Sequence, residues 1–151
     1  MSVSQLVAVL GDLEGTRDYV EVARHPSAVE RAGVLVVRPE QPLFFANAKR
    51  ALAGVRALLD ARANVQVLVL SLEESVDLDS TALEALAEFS AWLARSRRRL
   101  VLARVKEAVR ELLQRTAVEG PATPCYWSVA DAVAAASANL APAAGRSRSA
   151  Q

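Results

Sequence analysis

Residues 76–86 read VDLDSTALEAL, and they follow a mostly apolar run, VQVLVL, at residues 65–70. A short run whose side chains are apolar on both faces of the strand is typical of a parallel strand that is buried on its two faces. After the acidic stretch, Ala82, Leu86, Phe89 and Leu93 recur at intervals of four, three and four, which is the period of an amphipathic helix. The sequence therefore predicts a buried strand, a short acidic loop and a helix. In open α/β sheets, binding sites gather at such strand ends.

The start of this helix carries three residues that can cap it, Asp79, Ser80 and Thr81. Their side-chain oxygens can accept hydrogen bonds from the unpaired N–H groups of the first turn, and Thr81 with Glu84 also fits a capping box. The sequence leaves open which of the three is the cap. A second interpretation makes Ser80 a phosphorylation site. The positive end of the helix would favour a phosphate there, whereas Asp77, Asp79 and Glu84 would repel it.

Strand and helix patterns alternate along the rest of the chain. We predict strands at residues 6–10, 33–38, 65–70, 99–103 and 125–127, and helices at residues 46–59, 79–95, 106–115 and 128–140. Residues 42–45 are a further short segment, which we expect to pair with residues 33–38 in a hairpin through Pro39–Pro42. Residues 17–26 are expected to be irregular.

These elements predict an α/β fold with a mixed, mainly parallel central sheet of about four to five strands flanked by about four helices. With 151 residues the chain is most simply one domain, which we place at residues 1–140. Residues 141–151 are small and polar, and we predict that they form a disordered tail.

Composition excludes several classes of function. The 18 basic and 17 acidic residues nearly cancel, which argues against a general nucleic-acid binder. Because Cys125 is the single cysteine, the sequence excludes an internal disulfide and any multi-cysteine metal site. Because His25 is the single histidine, it also excludes most zinc and Ser-His-Asp sites. We predict neither a metal nor a cofactor. No apolar run approaches the ~18 residues of a membrane span and no basic segment precedes the apolar start, so we expect a soluble chain without a secretory signal.

Four stretches, taken in chain order, carry a resemblance to a known family. They are Leu10-Gly11 with Gly15 to Tyr19 and His25-Pro26, then Pro42 to Ala48 (PLFFANA), Asp79 to Leu83 (DSTAL) and Ala103 to Lys106 (ARVK). Together they resemble the STAS domain, a fold shared by bacterial anti-sigma factor antagonists and the cytoplasmic ends of SulP anion transporters. The resemblance covers roughly residues 6–140, and it is to the transporter branch.

This resemblance implies a regulatory and interaction domain rather than an enzyme. Such a domain would lie at the cytoplasmic face of the inner membrane as part of a sulfate or bicarbonate transporter. It would act on the transmembrane portion of the same transporter by docking, by binding a protein partner or as a homodimer. The loop with Asp77, Asp79, Ser80 and Thr81 would be one contact or regulatory surface.

Two alternatives remain for the same loop. In the antagonist branch the kinase target is the serine after the motif's aspartate, which corresponds to Ser80 here. Antagonists usually have glycine where this chain has Ala82, and the transporter branch often has threonine where it has Thr81. The remote alternative is a phosphatase, because Asp77-x-Asp79-x-Thr81 matches an Asp-x-Asp-x-Thr signature in which the first aspartate is a nucleophile.

A cationic run and an aromatic residue offer a second surface. Arg95, Arg97, Arg98 and Arg99 follow the predicted helix end, where cations are favoured by ~0.3–1 kcal/mol each. They could instead make a weak contact with an anionic membrane surface or an acidic partner. Trp92 lies at the edge of the apolar stripe of the helix, where it would either complete the core or contact a partner.

Overall fold

The computed structural model describes residues 6–120 and 122–142. Its strands are β1 (Val7–Asp12), β2 (Tyr19–Glu21), β3 (Val34–Pro39), β4 (Val67–Ser71), β5 (Arg99–Ala103) and β6 (Cys125–Tyr126). Its helices of two turns or more are α1 (Ala48–Asp60), α2 (Ser80–Arg95), α3 (Glu107–Arg115) and α4 (Val129–Ala138). The six strands form one sheet in the order β2-β1-β3-β4-β5-β6.

The sheet is mixed and mainly parallel. The four strands β3, β4, β5 and β6 pair in parallel, whereas β1 pairs antiparallel with both β2 and β3. The predicted fold class is therefore confirmed, with six strands in place of about four to five. The strand that was not predicted is β2, a short strand at one edge of the sheet, where only three residues form the strand.

The predicted hairpin between residues 33–38 and 42–45 is wrong. Residues 42–45 form no strand, and the antiparallel neighbour of β3 is β1, with Val7 opposite Pro39 and Leu10 opposite Val36. Pro42 has no N–H to give to a strand ladder. The N–H of Leu43 bonds instead to the side chain of Ser75, so this segment leads into α1. Residues 17–26 are not wholly irregular either, since they contain β2.

The two faces of the sheet bury different side chains. Leucine predominates on the face covered by α1, α2 and α3, where the core contains Leu35, Leu68, Leu70, Leu100 and Leu102. Valine and alanine occupy the face covered by α4, with Val34, Val36, Val67, Val69, Val101 and Ala103 packed near Ala132, Val133 and Ala136. Successive side chains of a strand point to opposite faces, so the alternation of leucine with valine sorts them. In the described residues α4 is the helix on this face, and Tyr19, Tyr126 and Leu140 pack against the same cluster.

The helix that follows the quoted stretch lies as predicted. Ser80 is the first residue of α2 and is exposed, while Leu86 is fully buried and Phe89 is 4% exposed. Because β3, β4 and β5 are parallel, the loops that lead to α1, α2 and α3 leave the sheet at one edge. We call this the carboxyl edge.

No helix in the described ranges is both long and apolar enough to cross a membrane. Near the end of those ranges, Ala141 and Gln66 exchange two hydrogen bonds, of 2.8 Å and 3.0 Å. Most of the predicted disordered tail, residues 143–151, lies outside the described residues, and its disorder stays a prediction.

Replacing Phe89 by alanine should destabilise the domain by about 3–5 kcal/mol, the usual effect of emptying an aromatic core site. Phe45→Ala is the matched control, because this phenylalanine is 69% exposed and its loss should change stability by about 0.5 kcal/mol or less. Urea unfolding followed by circular dichroism measures both. Equal effects of the two substitutions would contradict the packing described for α2.

Candidate functional site

The loop between β4 and α2, residues 72–79, lies at the carboxyl edge of the sheet. A second loop, residues 40–47, leaves β3 at the same edge and leads into α1. Loops from neighbouring parallel strands meet at this edge, which is why ligands and partners bind there in open α/β sheets. The structure places the predicted residues Asp77, Asp79, Ser80 and Thr81 together at this position.

Asp79 is the residue that caps α2. Its backbone is extended, with φ −77° and ψ 172°, and its Oδ1 accepts a hydrogen bond of 2.8 Å from the N–H of Ala82. Its Oδ2 accepts a second bond of 2.8 Å from the N–H of Phe45. Of the three caps that the sequence left open, the structure selects this one, and Ser80 and Thr81 belong to the helix itself. One carboxylate therefore joins the start of α2 to the loop before α1.

The loop before α1 is held by side chains. Oδ1 of Asn47 accepts a hydrogen bond of 2.9 Å from the N–H of Phe44, and its Nδ2 donates one of 2.9 Å to the carbonyl of Pro42. Ser75, which is 1% exposed, accepts a bond of 3.1 Å at Oγ from the N–H of Leu43. Backbone groups without strand partners need such bonds when they are shielded from water. The loop is therefore fixed against the sheet edge.

Three large apolar side chains are exposed at this edge. Phe45 is 69% exposed, Val76 is 66% exposed and Phe44 is 41% exposed. The rings of Phe44 and Phe45 stand edge to face, with centroids 5.4 Å apart. Single exposed apolar side chains are ordinary, but a group of them indicates an interaction surface. We call Phe44, Phe45 and Val76 the apolar patch.

A network of ion pairs beside the loop was missed by the sequence analysis. Nη1 of Arg38 donates to Oε1 of Glu73 at 3.2 Å, and its Nε donates to Oε2 of Glu40 at 2.8 Å. Nη2 of Arg104 donates to the other oxygen of Glu73 at 3.3 Å. The hydrogen bond to Glu40, together with the charges of Glu40 and Glu73, raises the pKa of Arg38 despite its partial burial. Arg38 lies near the end of β3, and Glu40, Glu73 and Arg104 follow β3, β4 and β5, so the parallel pairing of these strands brings the four residues together.

Besides Asp79 and Glu73, which are engaged in bonds, three exposed carboxylates contribute negative charge around Ser80. Glu74, Asp77 and Glu84 are exposed, whereas both oxygens of Asp79 accept backbone hydrogen bonds. Glu73 is close to this group in sequence, but its carboxylate forms ion pairs with Arg38 and Arg104. The surface around Ser80 is thus acidic and apolar at once.

The four predicted arginines do not form one surface. Arg98 donates from Nε to the carbonyl of Val65 at 3.0 Å, and from Nη2 to a carbonyl near the end of α1 at 3.2 Å. The guanidinium of Arg98 is therefore engaged by carbonyl groups of the domain itself. Arg99 reaches a carbonyl of α4 at 3.4 Å. Arg97 has a left-handed backbone (φ 62°), which turns the chain between α2 and β5 and separates it from Arg95.

Trp92 packs at the edge of the core, which is one of the two roles that the sequence left open, and its contact with a partner stays a prediction. It is half-buried, and the centroids of its ring and that of Phe89 are 5.8 Å apart at the edge of the core. On the other side, the guanidinium carbon of Arg56 lies 4.3 Å from the centroid of the indole, which is a cation–π contact. The contact joins α1 to α2, and no local pattern could have indicated it.

The residues considered as nucleophiles lack a catalytic setting. Asp77 is exposed and accepts only a bond from its neighbour Leu78, at 2.9 Å, among the hydrogen bonds described, and Asp79 uses both oxygens structurally. Burial raises the pKa of the Cys125 thiol, which lowers its reactive thiolate fraction. In the described ranges, no group of three His, Cys, Asp or Glu side chains could hold a metal ion.

Within the described residues, the architecture is an α/β domain with three helices on one sheet face and one on the other. A family model described as STAS domain matches residues 25–132. The chain belongs to the STAS domain family. This is the family that the sequence analysis predicted.

Particular relatives agree with the transporter branch. A probable sulfate transporter of Mycobacterium tuberculosis (strain H37Rv) is 33% identical over 108 residues, which is 71% of this chain and 19% of that relative. The structure of the murine Slc26a9 anion transporter in its inward-facing state superposes with a TM-score of 0.79 at 25% identity, over 88% of this chain and 22% of that one.

The antagonist branch shares the fold at lower similarity. The anti-sigma factor antagonist SpoIIAA in its unphosphorylated form gives a TM-score of 0.52 at 14% identity, over 74% of this chain and 96% of that one. This chain thus spans about a fifth of the transporter relatives but nearly the whole of an antagonist.

Removing the side chain of Asp79 should destabilise the domain more than removing that of Ser80. Asp79→Ala loses an N-cap and the bond to Phe45, so we expect a loss of about 2 kcal/mol, and Ser80→Ala should cost about 0.5 kcal/mol or less. Asp79→Asn keeps a capping oxygen and should fall between them. Urea unfolding measures all three, and a larger loss for Ser80→Ala would mean that the cap is misassigned.

Proposed function

We propose that this chain is the regulatory and interaction domain of a SulP-type anion transporter. Sulfate rather than bicarbonate is the proposed ion, because a transporter relative is described as a probable sulfate transporter. The observation that carries the proposal is the apolar patch, in which Phe44 and Phe45 lie on the loop that Asp79 fixes and Val76 lies on the neighbouring loop. A fixed loop loses little conformational entropy when it docks, so its apolar side chains can contribute to binding. The transmembrane portion of the same transporter is the proposed partner.

The proposal makes docking, not catalysis, the task of the carboxyl edge. The carboxylate of Asp79 and the hydroxyl of Ser75 are engaged in holding loops, which leaves no activated nucleophile among them. Neither a cofactor nor a metal enters this mechanism. Docking would take place at the cytoplasmic face of the inner membrane, and a second copy of the domain could add to the contact.

One observation favours the alternative of an antagonist-like switch. Ser80 is exposed at the first position of α2, where a kinase could reach it and where the helix end would stabilise a phosphate. Glu74, Asp77 and Glu84 oppose that phosphate, and Ala82 departs from the glycine that the antagonist branch usually has.

Photo-crosslinking distinguishes these proposals. A photoreactive phenylalanine in place of Phe45 should form an adduct with a multispanning membrane protein when the chain is expressed in its own cells. Trp127 is the control position, because it is 74% exposed and outside the apolar patch, and it should give little of that adduct. An adduct with a soluble kinase alone, accompanied by phosphate on Ser80, would replace the transporter proposal with the switch.

Ser80→Asp should leave the fold intact and weaken docking at the apolar patch by about fivefold, equivalent to ~1 kcal/mol for one unit-charge contact near water. The added carboxylate must lose water when it meets an apolar surface, and Glu74, Asp77 and Glu84 already repel it. Ser80→Asn is the uncharged control. The yield of the Phe45 adduct measures docking, and a higher yield for Ser80→Asp would mean that the partner surface is basic.

A further inference from the structure

A groove runs between α1 and α2 on the outer side of the helical layer, from Lys49 near the start of α1 to Arg95 at the end of α2. It has a volume of about 340 Å³. Leu52, Ala53, Ala85 and Phe89 form its apolar floor, and Trp92 lies toward one end. Both helices run back along the same face of the sheet between parallel strands, so they lie side by side and the groove follows their axes. The two alanines let another backbone approach the floor closely.

The rim of this groove is cationic. Lys49 and Arg56 on α1 and Arg95 on α2 line it, against one carboxylate, Glu88. All four are exposed. Within residues 6–120 and 122–142, none of the three cations takes part in an ion pair. In a chain whose net charge is +1, this local excess of positive charge is available to an acidic ligand.

The spacing of the cations fits a helix. Lys49 and Arg56 are seven residues apart on α1, which is two turns and about 10.5 Å along the axis. Carboxylates two turns apart on a partner helix would have the same spacing. The face of the Arg56 guanidinium rests on Trp92, with 4.3 Å from its carbon to the ring centroid. This stacking orients the planar group, so less side-chain entropy is lost when its edge donates two hydrogen bonds to a carboxylate.

We propose that the groove between α1 and α2 binds an acidic amphipathic helix of a partner protein. Its apolar side chains would cover Ala53, Ala85 and Phe89, and its carboxylates would pair with Lys49, Arg56 and Arg95. A concave, elongated groove fits a helix better than the flat surface of a membrane. The inward bonds of Arg98 also remove one of the charges that a membrane contact would use. This inference does not depend on the transporter proposal.

The test uses a labelled peptide of about 20 residues, ~30 Å long as a helix. It carries a leucine stripe and glutamates two turns apart, and its twin has glutamine at the glutamate positions. Binding to the full chain at low salt is measured by fluorescence anisotropy. We expect the glutamate peptide to bind at least about tenfold more tightly than its twin. In a Trp127→Phe chain, where Trp92 is the only tryptophan, binding should change the fluorescence.

Variants locate the peptide. Arg56→Gln should weaken binding by about tenfold, whereas Arg50→Gln, the same change on an exposed residue of α1 that does not line the groove, should change it by about twofold or less. Ala53→Glu places bulk and negative charge on the floor at an exposed position and should abolish binding. Thermal melts of each variant check that the fold persists.

Several results would overturn the proposal. They are failure of the glutamate peptide to bind, equal effects of Arg56→Gln and Arg50→Gln, or undiminished binding by Ala53→Glu. Phosphatidylglycerol vesicles form a separate arm. If the chain binds these vesicles through Arg56 while the glutamate peptide does not bind, the groove is a membrane contact and the helix proposal is wrong.

Discussion

Burial of β4 from both sides is the constraint on which the rest of the structure depends. All five of its residues are buried, since β3 and β5 lie beside it and helices cover both faces of the sheet. Only the ends of such a strand reach solvent. The polar and charged residues that could serve a function are therefore displaced to the loops, and those of the carboxyl edge converge because neighbouring strands run the same way.

Asp79 converts this convergence into a fixed surface. One carboxylate oxygen caps the start of α2 and the other holds the backbone of Phe45, so two loops that are distant in sequence share one anchor. Phe44, Phe45 and Val76 can then remain exposed without the loop closing over them. In this arrangement Asp79 has a structural role, and Ser80 is exposed at the first position of α2.

Near-neutral net charge conceals a separation of charge along α2. The helix is capped by Asp79 at the end of a loop that also carries Glu74 and Asp77, and its last turn carries Arg95. Acidic residues at a helix start and basic ones at its end are favoured by the helix dipole, so the pattern has a structural origin. It also gives the domain two chemically different surfaces on one rigid element. A transporter partner at the carboxyl edge and an acidic partner in the groove would then both contact α2.

The sequence by itself determined the elements whose patterns are local. The apolar run at residues 65–70 indicated the buried strand, and the spacing of Leu86, Phe89 and Leu93 indicated α2, because each pattern reflects the burial of one strand or one helix face. The resemblance to STAS domains added the family. The capping residues and the apolar stripe, rather than the resemblance, placed Ser80 at the start of α2, where the structure has it.

Only the tertiary structure decided which elements pair and which side chains meet. The antiparallel partner of β3 is β1 rather than residues 42–45, Asp79 rather than Ser80 or Thr81 is the cap, and Arg98 points into the domain. Lys49 and Arg56 could be recognised as the rim of a groove only once Trp92 and Arg95 on the neighbouring helix were seen beside them. Each of these outcomes depends on contacts between segments that are distant in the chain, and a local pattern carries no information about which distant segment will supply the hydrogen bond or the charge.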